Sequence, residues 1–259
     1  MSAPVVAVLG LGEAGARIAA DLVAAGAEVR GYDPLATAPA GVAALDDPAA
    51  AATGTAAVLA LTTASTALAA AESATPGLGS GAVYADLNTS APTLKRDLAA
   101  LVADAGGRFA DVALLGPVPA RGLKTPTLAS GSGAQAFAEL LGPLGMPVEV
   151  VSDRPGDAAT LKLLRSVFMK GLAASALESL AAAEAAGHAS WLRGEIASVV
   201  GEPLLERLID GSTRHAARRV EEMEAARELL LELGVEPRVA AASASLLAEI
   251  AALRPADGR

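Results

Sequence analysis

The 259-residue chain predicts an α/β fold, a Rossmann-type doubly wound sheet followed by an all-α C-terminal domain that a long interdomain helix joins to it. Three observations predict this. Short apolar runs alternate with helical stretches through the first 155 residues, the pattern of βα units around a parallel sheet. A Gly-rich turn, Gly10-Leu11-Gly12-Glu13-Ala14-Gly15, sits between the first apolar run and the first helix. Beyond Gly156 only helical patterns remain, so the expected domains are residues 1–155 and 156–259.

Taken in order, Val5 to Leu9 is wholly apolar, as a central strand covered on both faces requires. Ala14 to Ala25 reads as a helix ending at Gly26, and Glu28 to Asp33 as a second strand stopped by Pro34. Further strands are expected at Ala56 to Leu61, Ala82 to Leu87, Phe109 to Leu115, Thr127 to Gly131 and Pro147 to Ser152. Ala91 to Ala105 reads as a helix with Ser90 as its cap and Pro92 in its first turn. From Asp157 to Ala186 there is no Pro and one Gly, which predicts a helix about 45 Å long. Its Leu, Val, Phe and Met residues cover most of the circumference, so it must be buried on several sides. That demand predicts a homodimer formed by the helical domains.

Composition narrows the function. Cys is absent and there are two His, which excludes thiolate and histidine-cage metal sites. A net charge of −9 argues against nucleic acid, whose phosphates it would repel. No window offers the ~20 strongly apolar residues of a membrane span, and no signal peptide is recognisable, so a cytoplasmic protein acting on a small molecule is expected.

The glycine turn has the context that gives GxGxxG meaning: strand, turn, helix, second strand, acidic residue. Gly10 permits the tight turn, Gly12 lets a pyrophosphate approach the backbone, and Gly15 allows helix and strand to pack closely. Leu11, Glu13 and Ala14 complete the loop whose N–H groups, at the start of a helix, attract phosphate. Asp33 lies at the end of the second strand, where a carboxylate accepts ribose hydroxyls and repels a 2′-phosphate. No Arg or Lys follows in Pro34-Leu35-Ala36-Thr37, so NAD is expected, with NADP the alternative. The other reading of Asp33 is a turn residue before Pro34. Leu61, Thr62 and Thr63, leaving a strand at the carboxyl edge of the sheet, are placed to line the cofactor groove; for the two threonines a plain strand exit is the equal alternative.

Lys162 is the candidate acid–base group. The chain has four Lys against sixteen Arg, and Lys162 and Lys170 both lie on the most apolar helix. Burial lowers the pKa of a lysine, which suits proton transfer near neutrality, whereas arginine stays protonated. Ser166, Met169 and Lys170 share a broad helix face with Lys162. Lys170 reads instead as a snorkelling lysine, its ammonium in water. Arg214, His215, Arg218 and Arg219 form a basic cluster, read as a solvated face paired with nearby Glu; an anion-binding patch is the alternative.

Together these residues resemble the β-hydroxyacid dehydrogenase superfamily, which includes 3-hydroxyisobutyrate and 6-phosphogluconate dehydrogenases and the imine reductases. The resemblance runs over essentially the full length, through Gly10 to Gly15, the segment Ala85 to Pro92, the segment Phe109 to Pro117, and Lys162. The C-terminal half looks most like an uncharacterised, phosphogluconate-dehydrogenase-like branch. The resemblance implies that Lys162 is the general acid–base catalyst, that Thr89 contacts the nicotinamide portion, and that Asn88 replaces a substrate-touching serine. Ser166 stands where the family has asparagine, and Asn88 and Ser166 would orient the substrate oxygen. Pro117 interrupts the family's Ser-Gly-Gly carboxylate cradle because proline has no N–H. The family's C-terminal Lys-Asp pair is not evident; Glu222-Met223 stands in its place. The expected activity is hydride transfer between a nicotinamide and a hydroxy or carbonyl substrate; the alternatives are reduction of an imine and a non-catalytic NAD-binding regulator.

Overall fold

The computed structural model describes residues 3–253. Eight strands follow one another: β1 (Val5–Leu9), β2 (Glu28–Tyr32), β3 (Val42–Ala44), β4 (Ala57–Ala60), β5 (Val83–Asp86), β6 (Arg108–Leu114), β7 (Thr127–Ser130) and β8 (Val148–Ser152). The α-helices between and after them are α1 (Glu13–Ala24), α2 (Pro48–Ala52), α3 (Ala67–Ala74), α4 (Pro92–Asp104), α5 (Val118–Arg121), α6 (Ala134–Leu141), α7 (Asp157–Ala185), α8 (Ala189–Val200), α9 (Glu202–Arg214), α10 (Ala216–Glu232) and α11 (Arg238–Ala252).

The strands form one sheet in the order β3-β2-β1-β4-β5-β6-β7-β8. Every pairing is parallel except β6 with β7. The strand order reverses between β1 and β4, and α/β sheets bind ligands at such a switch point, outside the carboxyl ends of the strands. Side chains alternate across the sheet. Val6, Val8, Ala57 and Leu59 face α1 and α6, packing with Ile18, Leu22, Phe137 and Leu141. Ala7, Leu9, Val58 and Ala60 face the opposite layer, with Ala67, Ala71, Leu98 and Val102. Both faces are therefore dry, as the apolar strands require.

The chain divides into two compact units, the first ending at Lys162 and the second beginning at Leu163. The start of α7 is tied to the sheet: Ala158 N–H donates to Ser130 Oγ (3.0 Å) and Ala159 N–H to Asp111 Oδ2 (2.9 Å). The second unit has its own core, in which Leu163 packs with Met223, Ala226, Leu229, Ala244 and Leu247. The expectation of Ser90 as the cap of α4 is corrected: Ala91 holds that place, and the Ser90 hydroxyl is buried without a hydrogen-bond partner. Among the described residues no helix is long and apolar enough to cross a membrane.

Candidate active site

The glycine turn is built as its spacing requires. Gly10 has φ +89°, a conformation side chains resist, and a Cβ there would lie 2.4 Å from the Leu61 carbonyl oxygen. A Cβ on Gly15 would lie 1.8 Å from the Gly10 carbonyl oxygen, so the helix sits directly on the turn. Gly12 differs: nothing lies within 4 Å of where its Cβ would be. It is the N-cap of α1, no side chain caps the helix, and both Gly12 and Glu13 are exposed. An open, uncapped helix N-terminus with no Cβ in the way is what a pyrophosphate needs, so these residues fit a dinucleotide. Leu11 is buried beneath the turn, and Ala14 packs against the same core.

Asp33 ties the turn down. Its Oδ2 accepts the Leu11 N–H (2.7 Å), and its Oδ1 accepts those of Leu35 and Ala36 (both 2.8 Å). Partial burial pushes its pKa up, but the three backbone N–H groups outweigh this and hold it below the ordinary carboxylate value. With three of roughly four lone pairs engaged, one remains on Oδ2. Asp33 thus acts as a turn residue while keeping the capacity to accept a hydroxyl. The two threonines after β4 divide their work. Thr63 forms a capping box with Thr66 over the turn Ala64–Thr66, whereas Thr62 Oγ1 accepts an N–H from Asn88 Nδ2 (3.2 Å).

Asn88, Thr62, Thr89 and Lys162 come together at the carboxyl edge of the sheet. Lys162 Nζ donates to Thr89 Oγ1 at 2.6 Å, and Asn88 Nδ2 also donates to Asp86 Oδ1. Beneath them lies a cluster absent from the sequence expectations. Lys95, 1% exposed, donates to Asp86 Oδ2 (2.7 Å), the Asp86 carbonyl (3.0 Å) and the Asn88 carbonyl (2.9 Å), and lies 3.2 Å from Asp111 Oδ1. Burial pulls the pKa of Lys95 down, yet the two carboxylates more than compensate and leave it above the ordinary lysine value. A signal existed: the buried stripe of α4 runs Pro92, Lys95, Leu98, Val102, a lysine at helical spacing among core residues.

Ser166 belongs to a different cluster, within the second unit. It is buried, donates its hydroxyl hydrogen to Glu222 Oε1, and accepts from Lys170 Nζ (3.1 Å). Lys170 pairs with Glu222 at 2.8 Å, both side chains 12% exposed, so the expectation of an ammonium in water is corrected. Burial lowers the pKa of Lys170; Glu222 opposes that, but Arg219 and Arg165 reinforce it. Of the basic cluster, Arg219 turns inward and donates to the buried Ser212 Oγ (2.6 Å), whereas Arg214 is exposed and paired with Asp210.

Comparison with known proteins agrees with this architecture. Residues 5–144 match the family model of the NAD binding domain of 6-phosphogluconate dehydrogenase, and residues 183–250 match a domain of unknown function, DUF1932. An uncharacterized 28.5 kDa protein of Methanothermus fervidus is 29% identical over 162 residues, an alignment that spans 60% of this chain and 61% of that protein's length. The structure of a conserved hypothetical protein from Sinorhizobium meliloti 1021 shares 31% identity over 100% of this chain and 92% of its own, with a TM-score of 0.78. A Mycobacterium tuberculosis 3-hydroxyisobutyrate dehydrogenase, solved with L-serine, has the same fold: TM-score 0.82 at 21% identity, covering 97% of this chain and 94% of that one.

Proposed function

Because the chain belongs to the family of the NAD binding domain of 6-phosphogluconate dehydrogenase, we propose that it is a nicotinamide-dependent oxidoreductase of the β-hydroxyacid dehydrogenase type. The observation that carries this reading is the Lys162 ammonium, 2.6 Å from Thr89 Oγ1, in the same unit as an open glycine turn. A bound nicotinamide dinucleotide would supply hydride chemistry. Gly10 to Gly15 would hold the pyrophosphate, and the remaining Oδ2 lone pair of Asp33 would take a ribose hydroxyl. Its negative charge, with no Arg or Lys in the following Pro34 to Thr37, favours NAD over NADP. Lys162 gives a proton to the substrate oxygen on reduction and takes it back on oxidation, while Thr89 orients the ammonium and Asn88 the substrate. Ser166, with its hydroxyl given to Glu222, serves the packing of its own helix.

Lys162→Ala is expected to lower turnover by about 10²–10⁴-fold while leaving NADH affinity unchanged. The check is NADH fluorescence titration beside turnover on a panel of hydroxy acids, ketones and cyclic imines. Tight NADH binding with no turnover on the whole panel would make the protein a nucleotide-binding regulator. The exposed apolar side chains of Leu164, Phe168 and Val239 in the second unit support a homodimer. Light scattering at twice the 25.5 kDa chain mass is expected, and a monomer would refute it.

A further inference from the structure

Asn88 is the sole asparagine of the chain, and its side-chain amide is fully committed on one side. Both Nδ2 hydrogens are used, one by Asp86 Oδ1 and one by Thr62 Oγ1. An ionised carboxylate only accepts hydrogen bonds, so Asp86 admits the amino side of the amide and rejects the carbonyl side. The other oxygen of Asp86 accepts from the ammonium of Lys95 at 2.7 Å. The same ammonium takes the backbone carbonyls of Asp86 and Asn88, pinning the segment at both positions. It also faces Asp111, whose Oδ2 receives Ser130 Oγ–H and the Ala159 N–H at the base of α7, three residues before Lys162.

We infer that Lys95 is a positioning residue that locks the Asn88 amide with its carbonyl outward, so that the substrate group meeting Asn88 is an O–H or N–H donor. Resting on the reading of Asn88 as a substrate-facing residue, this adds a polarity to it. A serine hydroxyl rotates to donate or accept, whereas this amide only accepts. The reduced form of a substrate, an alcohol or an amine, satisfies Oδ1; a bare carbonyl oxygen does not. One buried cation thereby sets the orientation of Asn88 and anchors the helix that carries Lys162.

The test needs neither substrate nor cofactor. In protein labelled with ¹⁵N in the asparagine side chain, Asn88 gives one NH₂ pair. Both protons are expected to be protected from solvent exchange and constant in shift from mildly acidic to mildly alkaline pH. The charged and titratable groups around the amide are Asp86 of β5, Asp111 of β6, Lys95 of α4 and Lys162 of α7, with Tyr84, whose phenol burial and Asp86 push upward. In Lys95→Met both carboxylates lose the ammonium that faces them, and the Asn88 pair is expected to lose protection. Should that variant fail to fold, Thr62→Val decides: one amide proton loses protection and the other keeps it. Freely exchanging amide protons in the native protein, a Lys95→Met spectrum matching the native one, or two protected protons in Thr62→Val would overturn the inference. An intact amide pattern with no NADH binding removes the proposed function and leaves the clamp; the reverse removes the clamp alone.

Discussion

Two lysines are withdrawn from water in this protein, and their surroundings drive them in opposite directions. Lys95, in the sheet unit, faces two carboxylates, and its pKa lies above the ordinary lysine value. Lys170, in the helical unit, faces one carboxylate with Arg219 and Arg165 close by, and its pKa lies below that value. Burial lowers both, so burial does not explain the difference. The balance of opposite and like charge does. A lysine with two anions is a structural clamp that stays charged, whereas a lysine among arginines is one whose proton is held loosely. The sequence reading assigned proton chemistry by burial on an apolar helix; the contrast shows that burial is half of that argument.

The comparison can be broken most sharply at Lys95. Lys95→Met leaves two buried carboxylates without their cation and is expected to destabilise the first unit by about 3–5 kcal/mol in urea unfolding. A loss below about 1 kcal/mol would mean the cluster is not the keystone described here. Lys170→Met should cost less, about 1–2 kcal/mol, because its partner Glu222 keeps some access to solvent and retains the charge of Arg219. Equal losses at the two positions would erase the distinction.

The smallest expected effect is in the pH dependence. The contribution of Lys95, whose folded pKa is raised, is fully present below the ordinary value of 10.5 and is lost as pH rises through the higher folded value. For Lys170 the folded pKa is lowered, so between that value and 10.5 the unfolded chain binds more protons and stability rises with pH. Relative to Lys170→Met, the native protein should therefore gain stability on mild alkalinisation. Relative to Lys95→Met, it should hold a constant advantage until pH passes 10.5.

Much of this was legible in the chain itself. The glycine spacing and the apolar run of β1 mark the turn between β1 and α1, because Gly10 and Gly15 each answer a steric demand that local spacing expresses. The helical C-terminal half was equally plain. Less visible was β3, a three-residue edge strand with little apolar pattern, and the antiparallel pairing of β7, since strand alternation carries no direction. Ser90 was misread because a hydroxyl before Pro92 resembles a cap in sequence, while its depth is set by the fold. Lys170 was misread because its partner Glu222 arrives from another helix. The Lys95 cluster could have been found, since a lysine in the core stripe of α4 demands buried anions, and Asp86 and Asp111 stand in buried runs of mainly apolar strands.

A dinucleotide lying across the opening turn is the central proposal, and Gly12 offers the cleanest probe of it. A Cβ added there has no atom of the described residues within 4 Å, so Gly12→Val should fold as the native protein does while filling the space a pyrophosphate would occupy. Titration with NADH is expected to give saturable binding to the native protein and none to the folded variant. Equal affinity in both, or no binding by the native chain, would contradict it.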